Sequence, residues 1–260
     1  MTATVALLNR PCERLAECEV SFIEREPIDI ERARVQHEGY AEALRALGVE
    51  VVCHEVNRDA PDGVFVEDVA LVLDECAVML PMGTAARRDE VDAVAGLLAP
   101  YRVLEWIEPP ARLEGGDILC LGRTLYVGAS TRTDPDGIAA LAQVVEPLGY
   151  HVEPVPVFGC LHLKTGVTAL DEATVVINPD WVDDAAFAGL RRLRVDPNEP
   201  WAANTLTVGG TTLVQAGCAQ TQRVLERAGF ATQAVAIGEF ARAEAGLTCL
   251  SLVIPPAEPR

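Results

Sequence analysis

Five short polar stretches of this 260-residue sequence carry side chains that could bind a cation and perform nucleophilic chemistry. A thiolate is a strong nucleophile, histidine transfers protons near neutral pH, and carboxylates bind positively charged groups. The stretches recur at intervals of about 40–50 residues, a spacing that indicates a repeat architecture. They are Glu67-Asp68, Glu114-Gly-Gly-Asp117, His162-Leu-Lys164, Asn204 and Cys249.

The intervening sequence predicts the elements that would position these groups. Amphipathic helices are predicted near residues 31–47, 86–99, 136–148, 184–193 and 219–228. Each is followed by a strand-like run, at 49–54, 101–107, 150–157, 193–196 and 230–237. Four units then contain a hairpin whose reversal is Asp-Glu, Gly-Arg or Gly-Gly. The hairpins lie at 70–79, 118–127, 167–177 and 206–214.

The fifth unit has only one strand-like run after its helix, at 250–254, and the N-terminal run at 4–8 could supply its missing strand. Joining the two termini in this way closes a ring of five units, because a single unit could not cover its own apolar face. We therefore expect an α/β protein with one domain spanning residues 1–260. The competing fold, an open doubly wound sheet, would need a glycine-rich phosphate loop after its first strand, and the sequence has none.

Charge and hydropathy restrict the class of partner. The formal net charge is −18, from 21 basic and 39 acidic residues. Such a surface repels nucleic acid and anionic lipid and is compatible with a cationic small molecule, although an acidic surface that serves only solubility is the simpler interpretation. There is no basic leader and no apolar run of membrane-spanning length, so we expect a cytoplasmic protein.

The eight cysteines do not indicate a metal site or a disulfide framework. None forms a Cys-x-x-Cys pair, and the sequence has only four histidines. Most of the cysteines lie in apolar runs, where cysteine packs as a small hydrophobic residue. We therefore predict no structural zinc and no disulfides.

Each candidate residue also has a structural interpretation. Cys249 and His162 could be core residues, Glu114 could brace a turn, and Asp68 could be a solvated strand end. Their coincidence at equivalent positions of five units favours a shared polar site. The other histidines, at positions 37, 54 and 151, are predicted to be structural.

At this point the motifs as a group resemble the dimethylarginine dimethylaminohydrolase family, over residues 4–254. The resemblance implies a five-bladed α/β propeller, the fold shared with arginine deiminases and amidinotransferases. Arginine deiminases usually carry an inserted helical domain that this sequence lacks. The matching motifs are Phe65-Val-Glu-Asp68, Leu113-Glu-Gly-Gly-Asp117, Ser130-Thr-Arg-Thr133, Gly159-Cys-Leu-His-Leu-Lys164, Pro200-Trp-Ala-Ala-Asn204 and Ala245-Gly-Leu-Thr-Cys-Leu-Ser251.

The resemblance also implies catalytic roles. Cys249 would be the nucleophile, His162 the general acid and base, and Glu114 the carboxylate that orients the histidine. The reaction would release citrulline and an alkylamine from a methylated arginine through a covalent thiouronium, without metal or organic cofactor.

The same resemblance implies substrate contacts. Asp68 would grip the guanidinium, helped by Glu67 and Asp62, and Phe65 would pack beside its plane. Arg87, with Arg88 as the adjacent alternative, and Arg132 would hold the α-carboxylate. A lid would lie near residues 17–20, with Val20 where the family has leucine.

Two alternatives remain open from the sequence. One is a related hydrolase of plain arginine, agmatine or another guanidine, although a carboxylate-binding Arg132 argues against agmatine. The other is a non-catalytic protein of the same fold, similar to a ribosome-associated translation factor, but its axis would lack reactive groups. A homodimer is possible because dimers are common in the superfamily.

Overall fold

The strands of the computed structural model, which describes residues 4–256, form five three-stranded sheets. The strands are β1 (Val5–Asn9), β2 (Glu50–His54), β3 (Ala70–Val72), β4 (Cys76–Met79), β5 (Val103–Trp106), β6 (Ile118–Leu121), β7 (Thr124–Ala129), β8 (His151–Pro156), β9 (Val167–Asp171), β10 (Thr174–Ile177), β11 (Arg191–Arg194), β12 (Leu206–Val208), β13 (Thr211–Gln215), β14 (Ala231–Val235) and β15 (Leu252–Ile254). The helices are α1 (Ile30–Ala46), α2 (Val91–Leu98), α3 (Pro135–Val145), α4 (Leu163–Gly166), α5 (Ala219–Arg227) and α6 (Gly238–Ala241).

All five sheets share one topology, which is the blade of a propeller. A short inner strand runs antiparallel to a middle strand, and the middle strand runs parallel to an outer strand, as in β3-β4-β5. The predicted hairpins form the inner and middle strands of four blades. Gly209 and Gly210 both have positive φ, of 58° and 78°, as a tight two-residue hairpin turn requires.

The last blade joins the two ends of the chain. Its inner strand is β15 and its middle strand is β1, with Val5 opposite Ile254 and Leu7 opposite Leu252. β2 then pairs in parallel with β1 as the outer strand. The predicted closure of the ring is confirmed, and the fold is a five-bladed α/β propeller. The ends of the predicted domain, residues 1–3 and 257–260, lie outside the described residues.

The helices agree with the predictions in four of the five units. The prediction of a helix at 184–193 is wrong, because only one 3₁₀ turn forms at Asp184–Phe187. Glycine inside a helix costs about 1 kcal/mol, and Gly189 is followed by residues that pair as β11 with the free edge of β10. The helix predicted at 136–148 ends early, because Pro147 cannot donate a backbone hydrogen bond and the chain continues as a 3₁₀ turn.

A short helical turn lies next to the start of every inner strand, and we call these five segments the central turns. They are Val66–Val69, Gly115–Asp117, Leu163–Gly166, Pro200–Ala203 and Thr248–Leu250. Leu163–Gly166 contacts the central turns on both of its sides, and so does Val66–Val69, while the apolar residues of the blades form clusters between the sheets. Between Thr4 and Pro256, none of the helices combines the length and the apolar character that crossing a bilayer requires.

Candidate active site

The central turns carry the predicted polar residues of all five units into one region. Asp68 lies within its turn, Glu114 immediately precedes the next, and His162 immediately precedes α4. Asn204 follows the fourth turn, and Cys249 lies within the fifth. Residues separated by as many as 181 positions along the chain are therefore neighbours at the axis, as the hydrogen bond between Thr248 and Glu67 demonstrates.

His162 is held between two carboxylates. Its Nε2 is 2.7 Å from Glu114 Oε2, and its Nδ1 is 3.9 Å from Asp68 Oδ1. Burial alone would lower the pKa of His162, but the charge of Asp68, the hydrogen bond to Glu114 and the charge of Asp117 raise that pKa to about 9. The imidazole is therefore protonated at neutral pH.

Two neighbouring groups fix the geometry of this histidine. Glu114 is fully buried, and its Oε1 accepts a hydrogen bond from the Gly83 backbone N–H at 3.0 Å. Gly116 leaves room for the imidazole ring, because a Cβ at position 116 would lie 2.5 Å from His162 Nδ1. The Glu-Gly-Gly sequence thus supplies both the partner of the histidine and the space for its ring.

Asp68 is a buried carboxylate whose two oxygens differ in their hydrogen bonding. Its Oδ2 accepts a hydrogen bond from Arg87 Nη1 at 2.6 Å, whereas its Oδ1 has no hydrogen-bond partner among residues 4–256. Burial alone would raise the pKa of Asp68, but the charges of His162 and Arg87 lower it, so the group is ionised. A buried, ionised oxygen without a donor is costly unless a cation binds to it.

Arg87 has several partners inside the protein. Its guanidinium donates to Glu90 and to the carbonyl oxygens of Phe65 and Asp62, besides Asp68. Arg87 is buried and borders the pocket, whereas the adjacent Arg88 is exposed. In this arrangement Arg87 holds Asp68 in place. The contact of Arg87 with a substrate α-carboxylate stays a prediction.

The thiol of Cys249 lies in an environment that keeps it protonated at neutral pH. Burial and the negative charges of Glu67 and Asp68 raise the pKa of this thiol to about 12. The opposing influences are the Gly246 backbone N–H, which donates to Sγ at 3.4 Å, and the positive charge of Lys164. Any activation of Cys249 at neutral pH therefore needs an additional positive charge nearby.

A narrow pocket of about 20 Å³ lies beside these groups. Eight of the ten predicted site residues line it, namely Asp62, Phe65, Asp68, Arg87, Glu114, Arg132, His162 and Cys249. The remaining wall consists of Glu19, which lies in the predicted lid, and of four residues to which the sequence assigned no role, namely Leu161, Ala243, Glu244 and Ala245. The other two predicted residues, Glu67 and Val20, lie outside this wall.

Glu67 faces a different side of the axis from Asp68. Its Oε1 accepts a hydrogen bond from Lys164 Nζ at 2.5 Å, and its Oε2 accepts one from Thr248 Oγ1 at 2.6 Å. Asn204 completes this network by donating to Thr248 Oγ1 and to the Lys164 carbonyl. Both oxygens of Glu67 therefore have partners within the protein.

One part of the pocket wall is formed by Asp62, Phe65 and Glu19, and Val20 follows Glu19 in the chain. Asp62 accepts a hydrogen bond from the Glu19 backbone N–H at 3.2 Å, and burial raises the pKa of Asp62 to about 6. The ring of Phe65 packs edge-on against Phe240, with 6.5 Å between centroids. Val20 packs against the hydrophobic cluster that contains both rings. Its predicted contact with substrate is not visible in this arrangement and stays a prediction.

Asp117 is a supporting residue that the sequence analysis quoted in a motif but assigned no role. This fully buried carboxylate accepts hydrogen bonds from Ser130 Oγ at 2.6 Å, Thr133 Oγ1 at 2.7 Å and the Leu163 backbone N–H at 2.8 Å. It therefore anchors the residue that follows His162. The Glu-Gly-Gly-Asp motif itself was the available signal.

One group of ligand atoms has a spacing that a metal ion could use. Asp68, Glu114 and His162 each offer an atom, and these atoms lie within 4.8 Å of one another. The histidine already shares Nε2 with Glu114 at hydrogen-bond distance. The unpartnered oxygen of Asp68 suits a planar cation with N–H donors as well as it suits a metal ion.

Solved structures with the same fold identify the class. One is the Pseudomonas aeruginosa dimethylarginine dimethylaminohydrolase, a cysteine-to-serine mutant in complex with citrulline. It superposes with a TM-score of 0.91 at 26% identity, covering 98% of this chain and 100% of that one. A histidine-to-glycine form of the same kind of enzyme, as an adduct with S-methyl-L-thiocitrulline, gives a TM-score of 0.93 at 26% identity, with coverage of 98% and 100%. The fold is that of the five-bladed α/β-propeller hydrolases.

The sequence comparisons are more specific. The profile of the family described as "N,N dimethylarginine dimethylhydrolase, eukaryotic" matches residues 12–223. The N(G),N(G)-dimethylarginine dimethylaminohydrolase of Streptomyces coelicolor is 38% identical over 253 residues, which is 97% of each chain. The chain belongs to the dimethylarginine dimethylaminohydrolase family. The resemblance and the hydrolase class predicted from the sequence are confirmed.

Proposed function

We propose that this protein hydrolyses N-ω-methylated arginines to citrulline and dimethylamine or methylamine. The observation that carries the proposal is the unpartnered Asp68 Oδ1, which lies 3.9 Å from His162 Nδ1 in a pocket that Cys249 also lines. A guanidinium offers planar N–H donors and one positive charge, which are what this oxygen lacks. The family to which the chain belongs supports the choice of a methylated substrate.

Substrate binding would change the state of the thiol. The pKa of Cys249 is raised by burial and by two carboxylates, so a bound guanidinium would offset the same negative charges that keep the proton on sulfur. The proton would leave as the cation enters, and the thiolate would form only beside the substrate. This coupling protects a reactive thiol from other chemistry between turnovers.

The covalent step would use His162 as the acid. The Cys249 thiolate attacks the guanidinium carbon, and protonated His162 donates its proton to the methylated nitrogen. The carbon–nitrogen bond breaks and the alkylamine leaves, while a thiouronium remains on Cys249. The raised pKa of His162, about 9, supports its role as a proton donor at neutral pH.

Hydrolysis would return the enzyme to its first state. Neutral His162 removes a proton from water, and the resulting hydroxide attacks the thiouronium carbon. The carbon–sulfur bond then breaks and the proton of the added hydroxyl group passes to sulfur, so citrulline leaves and the enzyme again holds the Cys249 thiol and protonated His162. Glu114 would hold the imidazole in orientation throughout, through the 2.7 Å hydrogen bond to Nε2.

The experiment is a substrate panel with citrulline as the common product. Asymmetric dimethylarginine and monomethylarginine should be turned over, whereas plain arginine should react at least about tenfold more slowly, a difference of 1.4 kcal/mol in activation free energy. Equal turnover of plain arginine would favour the arginine deiminase alternative. Absence of turnover with every guanidine, in a protein that still binds them, would favour a binding role.

The other predictions from sequence concern location and assembly. We propose a cytoplasmic protein with one catalytic domain over residues 1–260, acting on a small molecule and not on nucleic acid or membranes. A homodimer stays possible, and sedimentation of the purified protein in an analytical ultracentrifuge would decide its oligomeric state. No step of the proposed reaction requires a metal or an organic cofactor.

A further inference from the structure

Glu244 combines a strained backbone with a buried charge, and the reaction above does not use it. Its φ is +59°, in the left-handed region that side chains other than glycine and asparagine rarely adopt. The residue is only 4% exposed and lies on the pocket wall, five positions before Cys249. A non-glycine residue held in this region points to a task for its side chain.

The carboxylate of Glu244 binds three consecutive backbone amides from the other end of the chain. Oε2 accepts a hydrogen bond from Ser21 N at 2.8 Å, and Oε1 accepts one from Ile23 N at 2.8 Å and another from Phe22 N. Successive N–H groups that converge on one anion form a concave nest. Hydrogen bonds to a charged group are about twice as strong as those between neutral groups.

These amides belong to the irregular segment 18–29, which contributes Glu19 to the pocket wall and which we call the lid segment. Cys18, Val20 and Ile28 pack in or against the hydrophobic cluster, but residues 21–27 between them are mostly exposed, with Phe22 38% exposed, so apolar packing contributes little to the position of this middle part. Its first part is fixed by the hydrogen bond from Glu19 N to Asp62, and its last part by the bond from Asp29 N to Glu239. Between these two points Glu244 holds residues 21–23, and Arg242 donates to the Pro27 carbonyl and pairs with Glu26.

We propose that Glu244 is a positioning residue that holds the lid segment over the substrate pocket. By fixing residues 21–23, it keeps Glu19 on the pocket wall and Val20 packed against the cluster containing Phe65. Loss of this attachment would leave the catalytic groups intact but weaken the enclosure of the substrate. The kinetic part of the proposal rests on the proposed function, whereas the attachment itself does not.

The attachment is tested by hydrogen–deuterium exchange of individual backbone amides in Glu244→Gln. This change keeps the size of the side chain but removes its charge and replaces one acceptor oxygen with an amide NH₂ group, which can only donate. Exchange at Ser21, Phe22 and Ile23 should accelerate at least about tenfold, because local opening becomes easier. The matched control is Glu199→Gln, because Glu199 also accepts hydrogen bonds from two consecutive amides, at Gln220 and Thr221, outside the pocket wall.

Each variant should affect only its own amides. Glu199→Gln should accelerate exchange at residues 220 and 221 and leave residues 21–23 unchanged. If Glu244→Gln does not fold, Glu244→Asn replaces it, since asparagine tolerates positive φ and is too short to reach the lid segment. Unchanged exchange at residues 21–23, or equal acceleration there in the Glu199 control, would overturn the proposal.

The kinetic measurement separates positioning from general stability. With asymmetric dimethylarginine, Glu244→Gln should raise KM at least about fivefold and change kcat by less than about twofold, as expected for lost binding without lost chemistry. Glu199→Gln should change neither. Faster exchange with an unchanged KM would overturn the positioning role. If the wild-type protein makes no citrulline, the proposed function fails, and the exchange rates still decide whether Glu244 holds the lid segment.

Discussion

Glu67 and Asp68 are adjacent in the sequence, yet their carboxylates have opposite surroundings. Glu67 faces Lys164 and Thr248, which bind both of its oxygens. Asp68 faces His162 and Arg87, and only one of its oxygens has a hydrogen-bond partner in the described part of the chain. The two residues share one 3₁₀ turn, in which successive side chains point about 120° apart.

This difference separates the charge that holds the axis together from the charge that is free to bind a ligand. The paired side, with Lys164, Thr248 and Asn204, links three central turns through side-chain hydrogen bonds. On the other side, the ionised Asp68 has an oxygen without a hydrogen-bond partner in the pocket that His162 and Cys249 also line. Burial without full pairing costs free energy, and enzymes accept that cost where a substrate will supply the missing partner.

The largest effect should come from removing the thiol on the unpaired side. Cys249→Ser should lower citrulline formation from asymmetric dimethylarginine by at least about 10⁴-fold, because a hydroxyl is a far weaker nucleophile than a thiolate. Steady-state assays with colorimetric detection of citrulline provide the measurement. The control is Cys120→Ser, which changes an exposed cysteine and should leave turnover unchanged. Substantial activity in Cys249→Ser would contradict the assigned nucleophile.

The comparison between the neighbouring carboxylates can be tested by a matched pair of isosteric changes. Asp68→Asn should reduce kcat/KM by about 10²-fold, since a charge-assisted hydrogen bond contributes roughly 1.5–3 kcal/mol. Glu67→Gln should reduce kcat/KM by less than about tenfold and act mainly on the free energy of unfolding, because it leaves Lys164 without its ionic partner. Equal losses of kcat/KM in the two variants would show that the distinction is wrong.

A smaller effect is expected in the pH dependence of stability. The pKa of His162 is about 9 in the folded protein, above its ordinary value near 6.5. The contribution of this group to the free energy of unfolding is therefore complete below pH 6.5 and is lost as the pH rises towards and through 9. Urea unfolding between pH 6.5 and 9.5 should show this decline, by a few kcal/mol at most.

The pH prediction has a direct control in His162→Gln, which cannot titrate. This variant should show a weaker decline in unfolding free energy over the same pH range. Identical pH dependence in the two proteins would mean that the carboxylates around His162 do not stabilise its charged form in the folded state.

The sequence pattern predicted the repeat because each blade needs the same alternation of helix, strand and hairpin. It also located the groups that line the axis, since the central turns precede or follow the inner strands in every unit. It could not tell Asp68 from Glu67, because periodicity does not resolve which side of a one-turn 3₁₀ helix faces a pocket. Glu244 gave no signal, since neither its positive φ nor its amide partners can be read from a residue pattern.

Local packing also decided two details that spacing left open. Arg87 is buried beside Asp68 while Arg88 is exposed, although the two are chemically identical and adjacent. The predicted helix at 184–193 became a strand from Arg191 because β10 offers an unpaired edge there. In both cases the deciding contact comes from residues distant in the sequence.

The central claim is that a guanidinium bound to Asp68 is attacked by Cys249, and mass spectrometry of acid-quenched reactions tests it most directly. Wild-type protein mixed with excess asymmetric dimethylarginine should carry an adduct equal to the substrate less dimethylamine, on the peptide that contains Cys249. Asp68→Asn should accumulate the adduct more slowly, whereas Glu67→Gln should resemble the wild type. Citrulline production with no adduct on any cysteine, or with the adduct on a different one, would contradict the account.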